Sequence, residues 1–107
     1  MSKPLKIQIV ELARALIADE QHRCRRHFAE DADGFPVSAT SASAIKWCGL
    51  GAVIAAAYQL THNYDVAHNL GHQVLGPIVR PATLMRLNDS SGHSAVLALF
   101  DQLIAAS

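Results

Sequence analysis

Two cysteines, six histidines and nine acidic residues are the side chains of this sequence that could ligate a metal or act as nucleophiles and bases. Two residues separate Cys24 from His27 and three separate His68 from His72, and each spacing can present two ligands to one tetrahedral zinc ion. Asp65 falls on the same predicted helix face as His68 and His72, where it could ligate the ion or orient a histidine. The sequence thus offers zinc as a cofactor. An ordinary solvated face that carries histidines is the favoured alternative.

Cys48 is the candidate catalytic nucleophile. It lies near the start of a strongly apolar segment, and a thiol near a helix N-terminus or a base can be activated for nucleophilic catalysis. The favoured interpretation is nevertheless a small buried hydrophobe with a raised pKa, because Trp47, Leu50 and Val53 surround it. No histidine has a sequence context that directs it toward Cys48. A thiol enzyme is therefore an alternative, and enzymatic activity is not the first expectation.

The charged residues between positions 20 and 34 resemble binding motifs but have simpler interpretations. Asp31, Asp33 and Gly34 match the middle of a calcium-binding loop, yet Thr40 stands at the twelfth position, where an acidic ligand is required. An Asp-Gly turn explains them instead.

Flanking carboxylates are expected to neutralise the neighbouring basic cluster, which could otherwise meet a phosphate or an acidic partner. The cluster is Arg23, Arg25, Arg26 and His27, and the carboxylates are Glu20, Glu30 and Asp31.

The elements that would position these residues begin with an amphipathic helix from about Pro4 to about Glu20. Its apolar residues recur at spacings of three and four, and proline suits the first turn. If the same helical wheel continues beyond an interruption at Glu20, it places Cys24, His27 and Phe28 on the apolar face. The chemistry-bearing residues of this segment would then lie on a helix.

The segment Trp47–Leu60 is apolar on every side, which predicts a helix buried in the centre of the protein. We expect this helix to extend from Ser43 to Leu60, with Ser41 or Ser43 as its N-cap. The apolar run is shorter than the roughly 20 residues that a bilayer requires, so no membrane span is predicted. Glycines at positions 49 and 51 predict a close crossing with another helix.

Two further helices are predicted in the second half of the chain. Asn63 is a suitable cap for a third helix, which Gly76-Pro77 should end. Residues 82–87 could form a short helical segment, and Asn88-Asp89 belongs to a turn before the last helix, which either side chain could cap. The predicted buried faces of the two main helices comprise Val66, Ala67, Leu70, Gly71 and Val74, and Val96, Leu99, Phe100 and Leu103.

These elements predict an all-α fold in which about four helices form a compact bundle around the central apolar helix. The irregular segment from residue 30 to 42 has turn chemistry that is compatible with one minimal β-hairpin. A chain of 107 residues fits one domain, so residues 1–107 are expected to form a single helical unit.

Composition gives the expectations about partners and location. Nine basic residues balance nine acidic ones, so the charge that attracts nucleic acid or anionic membranes is absent. The same neutrality, with a slightly positive mean hydropathy, favours self-association. Two cysteines and no signal-peptide pattern favour a cytoplasmic protein with reduced thiols. The leading hypothesis is a small non-catalytic interaction protein that forms a homodimer.

The order of several short motifs resembles a family of small, uncharacterised bacterial and phage-associated proteins. The shared pattern is a cysteine, then Phe-Ala-x-Asp-Ala-Asp-Gly, then Trp-Cys-x-Leu-Gly-Ala at a helix start, then Asn-Asp before the last helix. The matching positions are Cys24, Phe28–Gly34, Trp47–Ala52 and Asn88-Asp89. The resemblance implies no reaction, but it draws attention to Cys24 and Cys48 as a pair. They would approach each other if the first helix packs on the central one, and the alternative is two independent buried thiols.

Overall fold

The computed structural model describes residues 3–25, 27–74 and 92–105, and it is mostly helical with a small antiparallel sheet. In the described residues the helices are α1 (Leu5–Leu16), α2 (Gly49–Thr61), α3 (Tyr64–Val74) and α4 (His93–Ala105), with a short 3-10 turn at Glu20–His22. The strands are β1 (Ala29–Glu30), β2 (Pro36–Val37) and β3 (Lys46–Trp47). The predicted helical bundle is therefore right, and the purely all-α class is wrong because of the sheet.

Helix α2 is the central element, as its uniformly apolar sequence predicts. Its first nine residues, Gly49–Ala57, are all buried, and the helix packs against both α1 and α3, while α4 packs on α1. Alanine on several sides of α2 allows the neighbouring helices to approach closely. The largest fully buried side chains of the core are Ile9, Val10, Ile17, Leu50, Val53, Ile54, Val96 and Phe100. None of the described helices is long and apolar enough to cross a membrane.

The predicted hairpin forms around Asp31. Its Oδ1 atom accepts hydrogen bonds from the backbone N–H groups of Asp33 and Phe35 at 2.9 and 3.0 Å, and Gly34 adopts a φ of +85°. A residue with a side chain is strained at that φ, so the glycine permits the tight turn. Strands β1 and β2 then pair with Ala29 opposite Val37.

The sheet contains a third strand that the sequence did not predict. Its order is β2-β1-β3, and β3 pairs antiparallel to β1 with Trp47 opposite Ala29. The backbone N–H groups of Ile45 and Cys48 donate to the carbonyl oxygens of Glu30 and Phe28 at 2.9 and 3.1 Å. Amide groups engaged in this way hold the segment extended.

The predicted start of the central helix at Ser43 is consequently wrong. Helix α2 begins at Gly49 with Cys48 as its N-cap, because the preceding residues are paired with β1. The two serines proposed as caps instead stabilise a turn before β3, where the Ser41 hydroxyl accepts from the Ser43 N–H at 3.2 Å.

The first helix also ends earlier than predicted, at Leu16 rather than near Glu20. Beyond it the Asp19 carboxylate accepts from the Gln21 N–H at 2.9 Å and caps the 3-10 turn, after which the chain is extended. The helical wheel therefore does not apply to residues 24–28. Cys24 is buried, as that wheel predicted, but His27 and Phe28 are exposed.

The third helix begins where its cap predicts. The Asn63 side chain accepts a hydrogen bond from the Val66 N–H at 3.0 Å, and α2 ends just before it with His62 at a φ of 57°. Most of the predicted buried residues of α3 and α4 are buried or half-buried, although Val66 is exposed. The predicted stop at Gly76-Pro77, the segment 82–87 and the Asn88-Asp89 turn lie outside the described residues.

Candidate functional site

The N-terminus of α2 is organised around Cys48. Strand β3 brings the chain in, and Cys48 keeps the extended backbone of a helix cap, with φ −76° and ψ 173°. Its Sγ atom accepts a hydrogen bond from the Gly51 N–H at 3.2 Å. The sulfur at this position thus satisfies one of the backbone N–H groups that the first turn of a helix leaves without an intrahelical partner.

Cys24 lies directly beside this helix start. Arg23 forms a parallel β-bridge with Trp47, and the Cys24 N–H donates to the Trp47 carbonyl oxygen at 3.1 Å. The bridge is isolated, but Cys24 and Cys48 are the residues that directly follow it on the two segments, so they lie close to each other. Cys48 is also one of the groups that raise the pKa of Cys24, which agrees with this proximity. Adjacent strands are about 4.8 Å apart and side chains directly opposite each other point to the same side. The structure thus brings the two cysteines together, and both are buried thiols.

The proximity arises from strand pairing rather than from the helix contact that the sequence suggested. The Cys24 thiol donates to the His27 carbonyl oxygen at 3.4 Å. Phe28 lies on the other side of Cys48 and accepts its N–H. Cys24, His27 and Phe28 therefore surround the N-terminus of α2.

Gly51 makes this arrangement possible. A Cβ atom at position 51 would stand 1.9 Å from the Phe28 carbonyl oxygen and 2.8 Å from its carbonyl carbon. Only glycine allows the backbone of Phe28 to pass so close to the helix. The sequence predicted a close approach at this glycine, but the partner is an extended segment and not another helix.

The electrostatic environment keeps Cys24 protonated. Burial, together with the nearby Cys48 and Glu30, raises the pKa of the Cys24 thiol to about 12, against opposing effects of Arg23 and Lys46. At neutral pH almost none of this sulfur is thiolate, and the thiolate is the nucleophilic form. Both sulfurs are buried, and they differ in their partners, since Cys48 Sγ accepts from the Gly51 N–H whereas the Cys24 thiol donates to the His27 carbonyl oxygen.

An open polar cleft of about 550 Å³ leads to Cys24. Both acidic and basic side chains line it, and His27 Nε2 is 4.0 Å from Glu30 Oε2. The lining residues are Glu20, Arg23, Cys24, Arg25, His27 and Glu30. The basic residues thus share the cleft with the carboxylates that were expected to neutralise them.

The residues of the predicted zinc site lie at two places in the fold. Cys24 and His27 are at the N-terminal end of α2, whereas Asp65 is in the first turn of α3, which follows the C-terminal end of α2. A helix of 13 residues is about 20 Å long, so the length of α2 separates Asp65 from Cys24 and His27. Among the described residues no three His, Cys, Asp or Glu side chains form a cluster that could hold a metal ion.

The sequence favoured a solvated face for the histidines of α3, but His68 is half-buried. Its ring packs on that of Tyr64 with centroids 4.4 Å apart, and its buried Nε2 atom has no hydrogen-bond partner among the described residues. His72 belongs to α3, but its side chain lies outside the described part of the structure. The zinc site and the catalytic role of Cys48 stay predictions.

A second feature, which the sequence did not reveal, is an uncovered apolar part of the small sheet. Phe35 and Ile45 directly precede β2 and β3, and their exposed fractions are 65% and 42%. Both are next to Asp31 in the strand register, one on each side of β1. The alternating runs Phe-Pro-Val and Ile-Lys-Trp are the only sequence signal for this arrangement, and each is too short to be recognised alone.

The fold and the paired thiols define a small, mainly helical protein in which a minimal sheet packs against the start of the central helix. The chain belongs to DUF6197, a family of unknown function, whose model matches residues 1–106. No curated protein and no solved structure matches the chain.

Proposed function

We propose that this protein is a non-catalytic cytoplasmic interaction protein that forms a homodimer through the exposed apolar side chains of its sheet. The observation that carries the proposal is the exposure of Phe35 and Ile45, at 65% and 42%. Large exposed hydrophobic side chains that lie together on a monomer are typical of protein interaction sites.

The strand register supports a common surface. Ala29 is paired with Val37 on one side and with Trp47 on the other. Ala29 is fully buried, and Trp47 packs against the hydrophobic core. Side chains two residues apart on a strand share a face, so Phe35 and Ile45 continue this inner face beyond the part that the helices cover. A second copy would extend the core over this uncovered row.

The charge distribution permits two identical copies to meet here. Asp31 is the acidic residue between the two hydrophobic side chains, and its Oδ1 atom already accepts two backbone N–H groups of its own turn. The formal net charge of the chain is zero, so long-range repulsion between copies is small. A twofold interface places the same patch of both copies in contact.

The geometry of β2 excludes one form of association. β2 is an edge of the sheet, but Pro36 occupies half of this two-residue strand and has no N–H group to donate. Proline on an edge strand opposes the addition of a further strand. The contact is therefore made by side chains, and a small area predicts a weak, concentration-dependent dimer, since stable interfaces bury about 800 Å² per partner.

Sedimentation velocity over a range of protein concentrations tests the proposal. Wild-type protein should shift from monomer to dimer with rising concentration, and Phe35→Ser should raise the dissociation constant at least tenfold, because a buried aromatic side chain contributes about 1.5–3 kcal/mol.

Val66→Ser is the matched control, because Val66 is 41% exposed, as much as Ile45, but lies on α3. The control should dimerise like the wild type, whereas Ile45→Ser should not. The proposal would be contradicted if the wild-type protein stays monomeric at every concentration, or if Val66→Ser weakens dimerisation as much as Ile45→Ser does.

A further inference from the structure

The juxtaposition of Cys24 and Cys48 has a consequence that is independent of dimer formation. We propose that these two residues are a site of reversible oxidative modification, at which an intramolecular disulfide links the segment 24–28 to the N-terminus of α2.

The backbone geometry carries this inference. Arg23 and Trp47 form a parallel bridge, and the Cys24 N–H donates to the Trp47 carbonyl oxygen at 3.1 Å. The two cysteines directly follow this bridge, so we expect their Cα atoms about 5 Å apart, the usual spacing of adjacent strands. Disulfides span Cα separations of about 4.4–6.8 Å, so this backbone spacing permits a bond between them.

Although the two cysteines are buried, a small oxidant in solution can still reach them. Cys24 lines the open polar cleft and is 6% exposed, so a small oxidant reaches this sulfur first. Cys48 lies behind it at the helix start, where the Gly51 N–H donates to its Sγ atom. The arrangement gives the two sulfurs different roles: Cys24 meets the oxidant and Cys48 completes the bond.

The reaction balances with a low-molecular-weight disulfide as the oxidant. The Cys24 thiolate, after loss of its proton to water, attacks the oxidant's S–S bond, forms a mixed disulfide and releases one thiolate. The Cys48 sulfur, also as thiolate, then attacks Cys24 Sγ, forms the Sγ–Sγ bond and releases the second thiolate. Both released groups take up a proton and become thiols. Two protein thiols are thus oxidised, and one small disulfide is reduced to two thiols.

The first step is slow at neutral pH for a physical reason. Burial raises the pKa of Cys24 to about 12, so its thiolate fraction grows about tenfold for each pH unit throughout the neutral range. The oxidation rate should rise in the same proportion. The site is therefore suited to sustained oxidising conditions and not to a fast response.

The disulfide should stabilise the folded protein. The bond closes a loop between residues 24 and 48, and a cross-link of that length restricts the unfolded chain enough to shift the unfolding equilibrium by roughly a hundredfold. By thermodynamic linkage, the disulfide must form more favourably in the folded chain than in the unfolded chain by the same factor.

An equilibrium with reduced and oxidised glutathione tests this without depending on access to the thiols. The full chain is equilibrated with glutathione mixtures, folded in buffer and unfolded in urea, and the disulfide fraction is measured by intact mass and by mapping of the linked peptides. We expect a Cys24–Cys48 linkage whose equilibrium constant is roughly a hundredfold larger in the folded chain.

Two conservative variants serve as controls. Cys48→Ser keeps a good N-cap and Cys24→Ser keeps a donor for the His27 carbonyl oxygen, so both should fold and neither should lose two hydrogen masses on oxidation. Equal constants in folded and unfolded chains, two separate glutathione adducts on folded wild-type protein, or disulfides between chains would overturn the proposal.

Discussion

Replacement of Gly51 by alanine perturbs the contact that positions both cysteines. In an ordinary helix interior this change stabilises by about 1 kcal/mol, because alanine has the higher helix propensity. At position 51 the new Cβ atom would be 1.9 Å from the Phe28 carbonyl oxygen, which is a backbone atom and cannot rotate away. The contact with Phe28 therefore opposes the gain in stability that the higher helix propensity of alanine would bring.

The size of the effect can be worked out from this distance. Ordinary contact begins at 3.4 Å, so Phe28 and α2 must separate by about 1.5 Å. That displacement breaks the 3.1 Å hydrogen bond from the Cys48 N–H to the Phe28 carbonyl oxygen. Loss of a buried hydrogen bond costs about 1–3 kcal/mol and overpacking about 1–3 kcal/mol. After the propensity gain, we expect a net loss of about 3 kcal/mol in the free energy of unfolding.

Urea unfolding monitored by circular dichroism measures this loss. Gly71→Ala is the matched control, since its Cβ would meet a side-chain atom, Ile54 Cγ1 at 2.7 Å, and no backbone atom within 3.4 Å. A shift of the Ile54 side chain by about 0.7 Å relieves that contact without displacing the backbone, so the control should lose only about 1 kcal/mol. If Gly51→Ala is as stable as the wild type, or no less stable than Gly71→Ala, Phe28 does not pass against α2 as described.

Three other predictions concern single side chains. Trp47→Phe removes the hydrogen bond from Trp47 Nε1 to the Ala39 carbonyl oxygen at 3.2 Å and should lower the free energy of unfolding by about 1 kcal/mol in urea titrations. Since the pKa of Cys24 is raised from 9.0 to about 12, the unfolded chain loses this proton first. The contribution of the thiol to stability is then complete below about pH 9 and is lost as the pH rises toward about 12, so Cys24→Ser should flatten the alkaline decline of the urea midpoint. The zinc prediction requires Zn²⁺ to raise the melting temperature of chelator-treated wild-type protein but not of His68→Ala, and equal melting temperatures would contradict it.

The sequence contains enough information for the helices because their signals are local. The periodic apolar residues of α1, the unbroken apolar run of α2 and the Asn63 cap of α3 each lie within a few turns of chain. Burial of an amphipathic or fully apolar helix follows directly from such patterns. These elements could therefore be predicted, apart from their ends.

The sheet and the cysteine pair could not be predicted in the same way. Two-residue strands such as β3 have no periodicity to detect, and their existence depends on amide groups that pair with a distant segment. The neighbourhood of Cys24 and Cys48 depends on the register between Arg23 and Trp47, which no local pattern encodes. The helical wheel extended beyond Glu20 failed for the same reason, since pairing with β3 overrides helix propensity in this segment.

The apolar row of the proposed interface was hidden by its local context. Phe35 lies next to a proline in a turn, and Ile45 precedes a lysine, so neither belongs to a visible hydrophobic stripe. Their common position beside Asp31 emerges only when β2 and β3 flank β1.

A crystal structure of the reduced protein would measure the separation of Cys24 and Cys48 most directly. The parallel register of Arg23 with Trp47 predicts Cα atoms about 5 Å apart with both sulfurs on the same side of the paired segments. A Cα separation above about 7 Å, or Cβ atoms that point away from each other, would contradict the described site at the N-terminus of α2.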